Sequence, residues 1–132
     1  MNRLYATVTD IVSEGSLHIV SFDLEGVMLQ MMSLALDEKI RIGSSVVLTI
    51  KSTYIALARS LEGEVSYTNR IPATIREIRQ GRLLSSILLD SQGHSIESII
   101  TRGSAERMKL RAGDSVIMLV KASELSIAEV LS

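Results

Sequence analysis

Lysine beside small hydroxyl residues recurs in this sequence, and that combination can hold an anion. Lys121-Ala122-Ser123 stands in one place and Lys51-Ser52-Thr53 in its counterpart. Ser66-Tyr67-Thr68-Asn69 and Thr101-Arg102-Gly103-Ser104 add further hydroxyls and an amide. A tetrahedral oxyanion accepts hydrogen bonds at every oxygen, and charge-assisted bonds are roughly twice as strong as neutral ones. Backbone N–H groups opening a helical turn would add a favourable dipole. Ser and Thr at strand ends also serve as local turn caps, so residue types alone leave both roles open.

Other chemistry is thinly provided. The absence of cysteine removes disulfides, thiol nucleophiles and Cys-ligated metal centres. His18 and His94 lack a nearby carboxylate or nucleophile motif and read as surface or core-edge residues. Gly103-Ser104 and Gly113-Asp114 are turn glycines with no Gly-Lys-Ser/Thr after them. Met28, Met31 and Met32 read as core filling rather than a soft-metal site. Arg76, Arg79 and Arg82 have no interleaved aromatic for base stacking and read as a solvated face. No catalytic residue and no directly coordinated metal is expected, so the chain reads as a binding protein and not an enzyme.

The elements that must position these groups come as an internal repeat. Asn2 to Ile11 aligns with Asn69 to Ile78 with five identities in ten, and Lys39 to Ala58 aligns with Lys109 to Ala128 with seven in twenty. The second set includes Gly43 with Gly113, Val46 with Val116 and Lys51 with Lys121. The offset grows from 67 to 70, placing three extra residues between Ser98 and Lys109. The repeats define two domains, 1–63 and 64–132, with no Pro- or Ser-rich linker between them.

Each repeat reads as five short strands. The first supplies Leu4–Val8, Leu17–Ser21, Val27–Met32, Ser45–Ile50 and Ile55–Ala58. The second supplies Ala73–Ile78, Leu83–Leu89, Ser95–Thr101, Ser115–Val120 and Leu125–Ala128. Asp23-Leu24-Glu25-Gly26 and Asp90-Ser91-Gln92-Gly93 mark hairpin turns. Ser104 to Met108 reads as one helical turn with Ser104 as its N-cap. The fold class is all-β, two tandem five-stranded barrels of the oligonucleotide-binding type, each with a short helical turn.

Composition narrows the functions. With 46% hydrophobic and 22% charged residues in 132, the chain is globular, and its three Tyr, one Phe and no Trp require an aliphatic core. The net charge of −1 argues against nucleic acid and membrane surfaces as partners. The opening MNRLYATVTD lacks the features of a signal peptide, and a cytoplasmic location is expected. A barrel of about 65 residues buries only roughly 60% of its unfolded surface, so the repeats should pack on each other and on further copies of the chain.

The duplicated unit resembles the molybdopterin-binding-protein (Mop, or TOBE) domain. The resemblance rests on Ser66–Asn69, Thr101–Ser104, Leu110-Arg111-Ala112-Gly113 and Lys121-Ala122-Ser123. In tandem the units resemble the di-domain molbindins, and the resemblance covers nearly the whole chain. It implies molybdate or tungstate as ligand, held at interfaces between units by Ser66, Asn69, Thr101, Ser104, Lys121, the backbone of Ala122, and Ser123. Thr68, taken with this set, stands where that family commonly has arginine, so one charge is missing; Arg70 and Arg3 are nearby cations. Lys51 and Ser52 are the first-repeat counterparts, but no Ser precedes Asn2 and only Ser33 remains of the Thr-x-x-Ser segment. The second repeat is therefore expected to carry more of the binding. The resemblance also implies a homo-oligomer, a trimer ahead of a dimer, that stores or buffers the anion. The alternative is an oxyanion-sensing regulatory module acting on a transporter or transcription partner.

Overall fold

A computed structural model of the chain describes residues 2–132. In the first repeat, β1 (Asn2–Glu14), β2 (Leu17–Leu24), β3 (Val27–Ser33), β4 (Ser45–Ile50) and β5 (Ala56–Ala58) follow in order. The second contributes β6 (Asn69–Gln80), β7 (Leu84–Ser91), β8 (His94–Thr101), α1 (Arg102–Arg107), β9 (Ser115–Val120) and β10 (Ser126–Val130). Alternation explains the faces: Asn2, Leu4, Ala6 and Val8 are buried with exposed residues between them, as are Asn69, Ile71, Ala73 and Ile75. Each of these strands bulges at its next residue, between Val8 and Asp10 and between Ile75 and Glu77. Beyond the bulge β1 and β6 are mostly exposed, while the strands paired with them there still bury Val20, Ser85 and Ile87. On β3 only Met31 of the three methionines is buried; Met28 and Met32 point to solvent, because the strand has one wet face.

Both expected hairpin turns form. Glu25-Gly26 and Gln92-Gly93 have positive φ at both positions, the type I′ geometry that matches strand twist. The helical turn begins earlier than expected. Its N-cap is Thr101, whose Oγ1 accepts the Ser104 N–H at 3.1 Å. Extended backbone at Thr101 lets its hydroxyl reach an amide that has no helical partner. Helical turns of the 3-10 type, Ser52–Tyr54 and Ala122–Glu124, follow β4 and β9 in both repeats.

The largest departure from the sequence reading concerns the closing strands. The sheet orders are β10-β4-β1-β2-β3 and β5-β9-β6-β7-β8. Each repeat therefore gives its last strand to the other repeat's sheet: Leu57 lies opposite Met118, and Ile127 opposite Leu48. Ile55 and Leu125, buried where each 3-10 turn ends, anchor the crossing chain in a core that both repeats share. Alternation identifies a strand; it does not say which edge the strand will join.

Two further ties hold the repeats together. Asn69 Oδ1 accepts the Gln30 N–H at 2.7 Å while its Nδ2 donates to the Gln30 carbonyl at 3.0 Å. Asn2 treats Glu97 the same way, at 2.8 and 2.9 Å. Each asparagine thus seals backbone on the outer edge of the other repeat's third strand. The Glu97 side chain adds a second tie, accepting from Ser86 Oγ at 2.5 Å and from Ser52 Oγ at 2.8 Å.

Asn69→Ala, which strands both backbone groups of Gln30, is expected to cost about 2 kcal/mol in urea denaturation. Glu97 generates a pH prediction. Hydrogen bonds from Ser86 and then Ser52 hold its carboxyl below the ordinary value of 4.5. Its folded value is the lower one, so its contribution is present above the unfolded value and lost as pH falls through the folded one. The difference in melting temperature between wild type and Glu97→Gln should therefore shrink as pH drops below 4.5. A difference constant through that window would show that the two serines do not stabilise the ionised form.

Candidate functional site

Lys121, Thr101 and Ser104 come together at one pocket, built from elements of both repeats. Thr101 ends β8, Ser104 sits in the first turn of α1, and Lys121 leaves β9. Thr53 and Tyr54 face them from the 3-10 turn of the first repeat, with Tyr67 and Leu84 at the side. Lys121 is exposed and has no ion pair among the described residues. The Thr101 hydroxyl donates to Ser104 Oγ at 3.0 Å, so these two hydroxyls are ordered against each other. Glu124 lines the same pocket and sets its negative limit. The volume, about 470 Å³, exceeds that of four oxygens at roughly 30 Å³ each. A small anion would be held on one side only, unless another surface closed over it.

The remaining expected ligands are distributed elsewhere. Ser66 and Thr68 are exposed on the approach to β6, while Tyr67 between them reaches the pocket. Asn69 is 1% exposed, and its amide is engaged by the Gln30 backbone. Ala122 is half-buried in its 3-10 turn. Ser123 faces a second groove, with Met31, Ser33, Asp37 and Glu129. That groove is the repeat counterpart of the first, and it is lined by two carboxylates and no cation. Lys51 Nζ lies 5.4 Å from the centroid of the Tyr54 ring, and Lys51 is not among the residues that line the pocket. Ser52 is held by Glu97. Of the nearby arginines, Arg3 pairs with Glu129 at 3.1 Å, and Arg70 is exposed.

Tyr54 and Tyr67 escaped the sequence reading, and Thr53 entered it only as a hydroxyl of the Lys51-Ser52-Thr53 segment. Tyr67 lies inside a motif already singled out, and Tyr54 is three residues after Lys51, so both positions carried a local signal. The convergence of Thr53 and Tyr54 with Lys121 carried none, because it depends on contact between repeats. Among the described residues no cluster of three His, Cys, Asp or Glu side chains could hold a metal ion. His94 instead supports the fold: its Nε2 accepts the Tyr5 N–H at 3.1 Å, and the two rings stack with centroids 5.9 Å apart. Arg76 and Arg79 form exposed pairs with Asp90 and Glu77. No helix among the described residues is long and apolar enough to cross a membrane.

Known proteins place this geometry in a family. Residues 66–127 match the TOBE domain. The molybdenum-pterin-binding protein MopB of Rhodobacter capsulatus is 31% identical over 96 residues, 71% of this chain and 36% of that protein. The molybdenum import ATP-binding protein ModC of Brucella abortus is 26% identical over 113 residues, 85% of this chain and 30% of that protein. The chain thus spans about a third of the length of these curated relatives. A crystal structure of the cytoplasmic molybdate-binding protein ModG, with molybdate bound, superposes with a TM-score of 0.89. That match covers 96% of this chain and 94% of ModG at 23% identity, and it establishes the two-domain, oligonucleotide-binding-like fold. With its internal repeat and paired five-stranded sheets, the chain belongs to the Mop/TOBE family as a tandem-domain member.

Proposed function

We propose that this protein binds molybdate, and its congener tungstate, as the intact tetrahedral dianion. Its role in this reading is storage or buffering in the cytoplasm, without catalysis. The observation that carries the reading is the meeting of Lys121, Thr101 and Ser104 at one pocket. One ammonium and the Ser104 hydroxyl are donors that a fully ionised oxyanion can satisfy, and Thr101 joins them if its hydrogen turns from Ser104 Oγ to the anion. Phosphate near neutral pH carries an OH that would face another donor and leave it badly paired. Sulfate, whose S–O bonds are shorter, is excluded by size once another copy of the chain closes the pocket. The names of the relatives, which refer to molybdate or molybdenum, support the same ligand class.

Self-association belongs to this reading. The pocket is too open for one small anion, and Leu83 is 81% and Leu34 73% exposed. Packing such surfaces against another copy would close sites and bury apolar area together. A trimer of two-barrel chains is favoured, with a dimer as the lesser form. A second reading, an oxyanion-sensing module that acts on a transporter, is favoured by the similarity to ModC over 85% of this chain.

Calorimetric titration tests the ligand. Lys121→Met, which removes a charge-assisted bond of about 1.5–3 kcal/mol, should weaken molybdate binding about ten- to hundredfold. Lys51→Met should do less, since Lys51 does not line the pocket. Equal affinity for sulfate would reject the size argument, and unchanged affinity in Lys121→Met would reject this pocket. Light scattering is expected to give an oligomer; a monomer with full anion binding would reject the closed-interface argument.

A further inference from the structure

The two lysine-bearing segments differ in what holds the neighbouring residue. In the first repeat Ser52 follows Lys51, and its hydroxyl hydrogen goes to Glu97 Oε1 at 2.8 Å. A hydroxyl has one hydrogen to donate, so an arriving anion would have to displace the carboxylate. Ser86 donates to the other carboxylate oxygen at 2.5 Å, and Asn2 holds the Glu97 backbone in both directions. In the second repeat Ala122 stands where Ser52 does, and Gln30 stands where Glu97 does. Asn69 holds Gln30 as Asn2 holds Glu97, but the Gln30 side chain is neutral and donates to Ser21 Oγ at 3.3 Å.

We infer that Glu97 is a built-in anion that occupies the donor end at Lys51-Ser52 and keeps free oxyanions out of it. The inference rests on the oxyanion binding proposed above and adds a specificity-determining residue to it. An oxyanion seated on Ser52 Oγ would stand within about 5 Å of the carboxylate. Repulsion between unit charges at that range and an effective dielectric of ~20 corresponds to roughly a hundredfold in affinity. In the Lys121 pocket no carboxylate is bonded to a hydroxyl: Thr101 donates to Ser104, Ser104 keeps its own hydrogen, and Glu124, though it lines the pocket, takes no hydrogen bond from either. Lys51 forms no ion pair among the described residues, so its charge remains available once the carboxylate is neutral.

Glu97→Gln tests this in the full chain, since it keeps size and hydrogen-bonding reach while removing the charge. Molybdate capacity and affinity are measured by equilibrium dialysis and calorimetry for wild type, Glu97→Gln, and Glu97→Gln with Lys51→Met. The expected result is a further class of bound molybdate in Glu97→Gln, about a hundredfold tighter at that end than in wild type, and lost again in the double variant. Wild-type binding with an unchanged Glu97→Gln would overturn the inference and leave the proposed function standing. No molybdate binding by any of the proteins would reject the function itself. Melting curves control for folding; if Glu97→Gln does not fold, Glu97→Ala removes the charge as well, frees the Ser52 hydroxyl in addition, and carries the same expectation.

Discussion

Hydrogen bonding between β10 and β4, and between β5 and β9, is the pairing around which this molecule is organised. A barrel of about 65 residues has too little interior to be stable alone, and an aliphatic core without tryptophan adds no aromatic bulk. Giving each sheet its last strand from the other repeat joins two marginal cores into one. The buried cluster runs from Leu4 and Phe22 through Ile55 to Ile87 and Leu125 without a break between repeats. The asparagine clamps complete the arrangement at the opposite edge, where β3 and β8 would otherwise present bare backbone.

The candidate site follows from that exchange. Thr53 and Tyr54 lie on the segment crossing from β4 to β5, and they meet Thr101, Ser104 and Lys121 because β5 joins β9. A single repeat holds some of these donors but cannot assemble the pocket. The repeat-related groove shows how little has to change for the chemistry to be lost. It keeps serines at 33 and 123 but gathers Asp37 and Glu129 in place of a lysine.

Differences between the repeats come in matched pairs. The Tyr5 N–H is received by His94, whereas its counterpart Pro72 has no N–H and faces no such acceptor, since Val27 stands where His94 does. Ser52 faces Glu97, while Ala122 and Gln30 occupy the corresponding places. At position 72 the donor and its acceptor are missing together, whereas at Ala122 the donor is missing although Gln30 keeps an amide oxygen, so there only the negative charge has gone from the acceptor's place.

Local chemistry determined much of this protein from the sequence alone. Alternating apolar residues marked the strands, Glu25-Gly26 and Gln92-Gly93 formed the expected hairpin turns, and the duplication with its Lys121-Ala122-Ser123 and Thr101–Ser104 segments pointed to the family. These signals are legible because each depends on residues within one strand or one turn. Other features were decided only by the tertiary structure: the exchange of β5 and β10, the use of Asn2 and Asn69 as edge clamps, the separation of Lys121 from Ser123 into different grooves, and the capture of Ser52 by Glu97. Each depends on which edge a strand joins or which backbone an amide reaches. Sequence periodicity is blind to that choice, because the same strand pattern satisfies either edge until the shared core selects one.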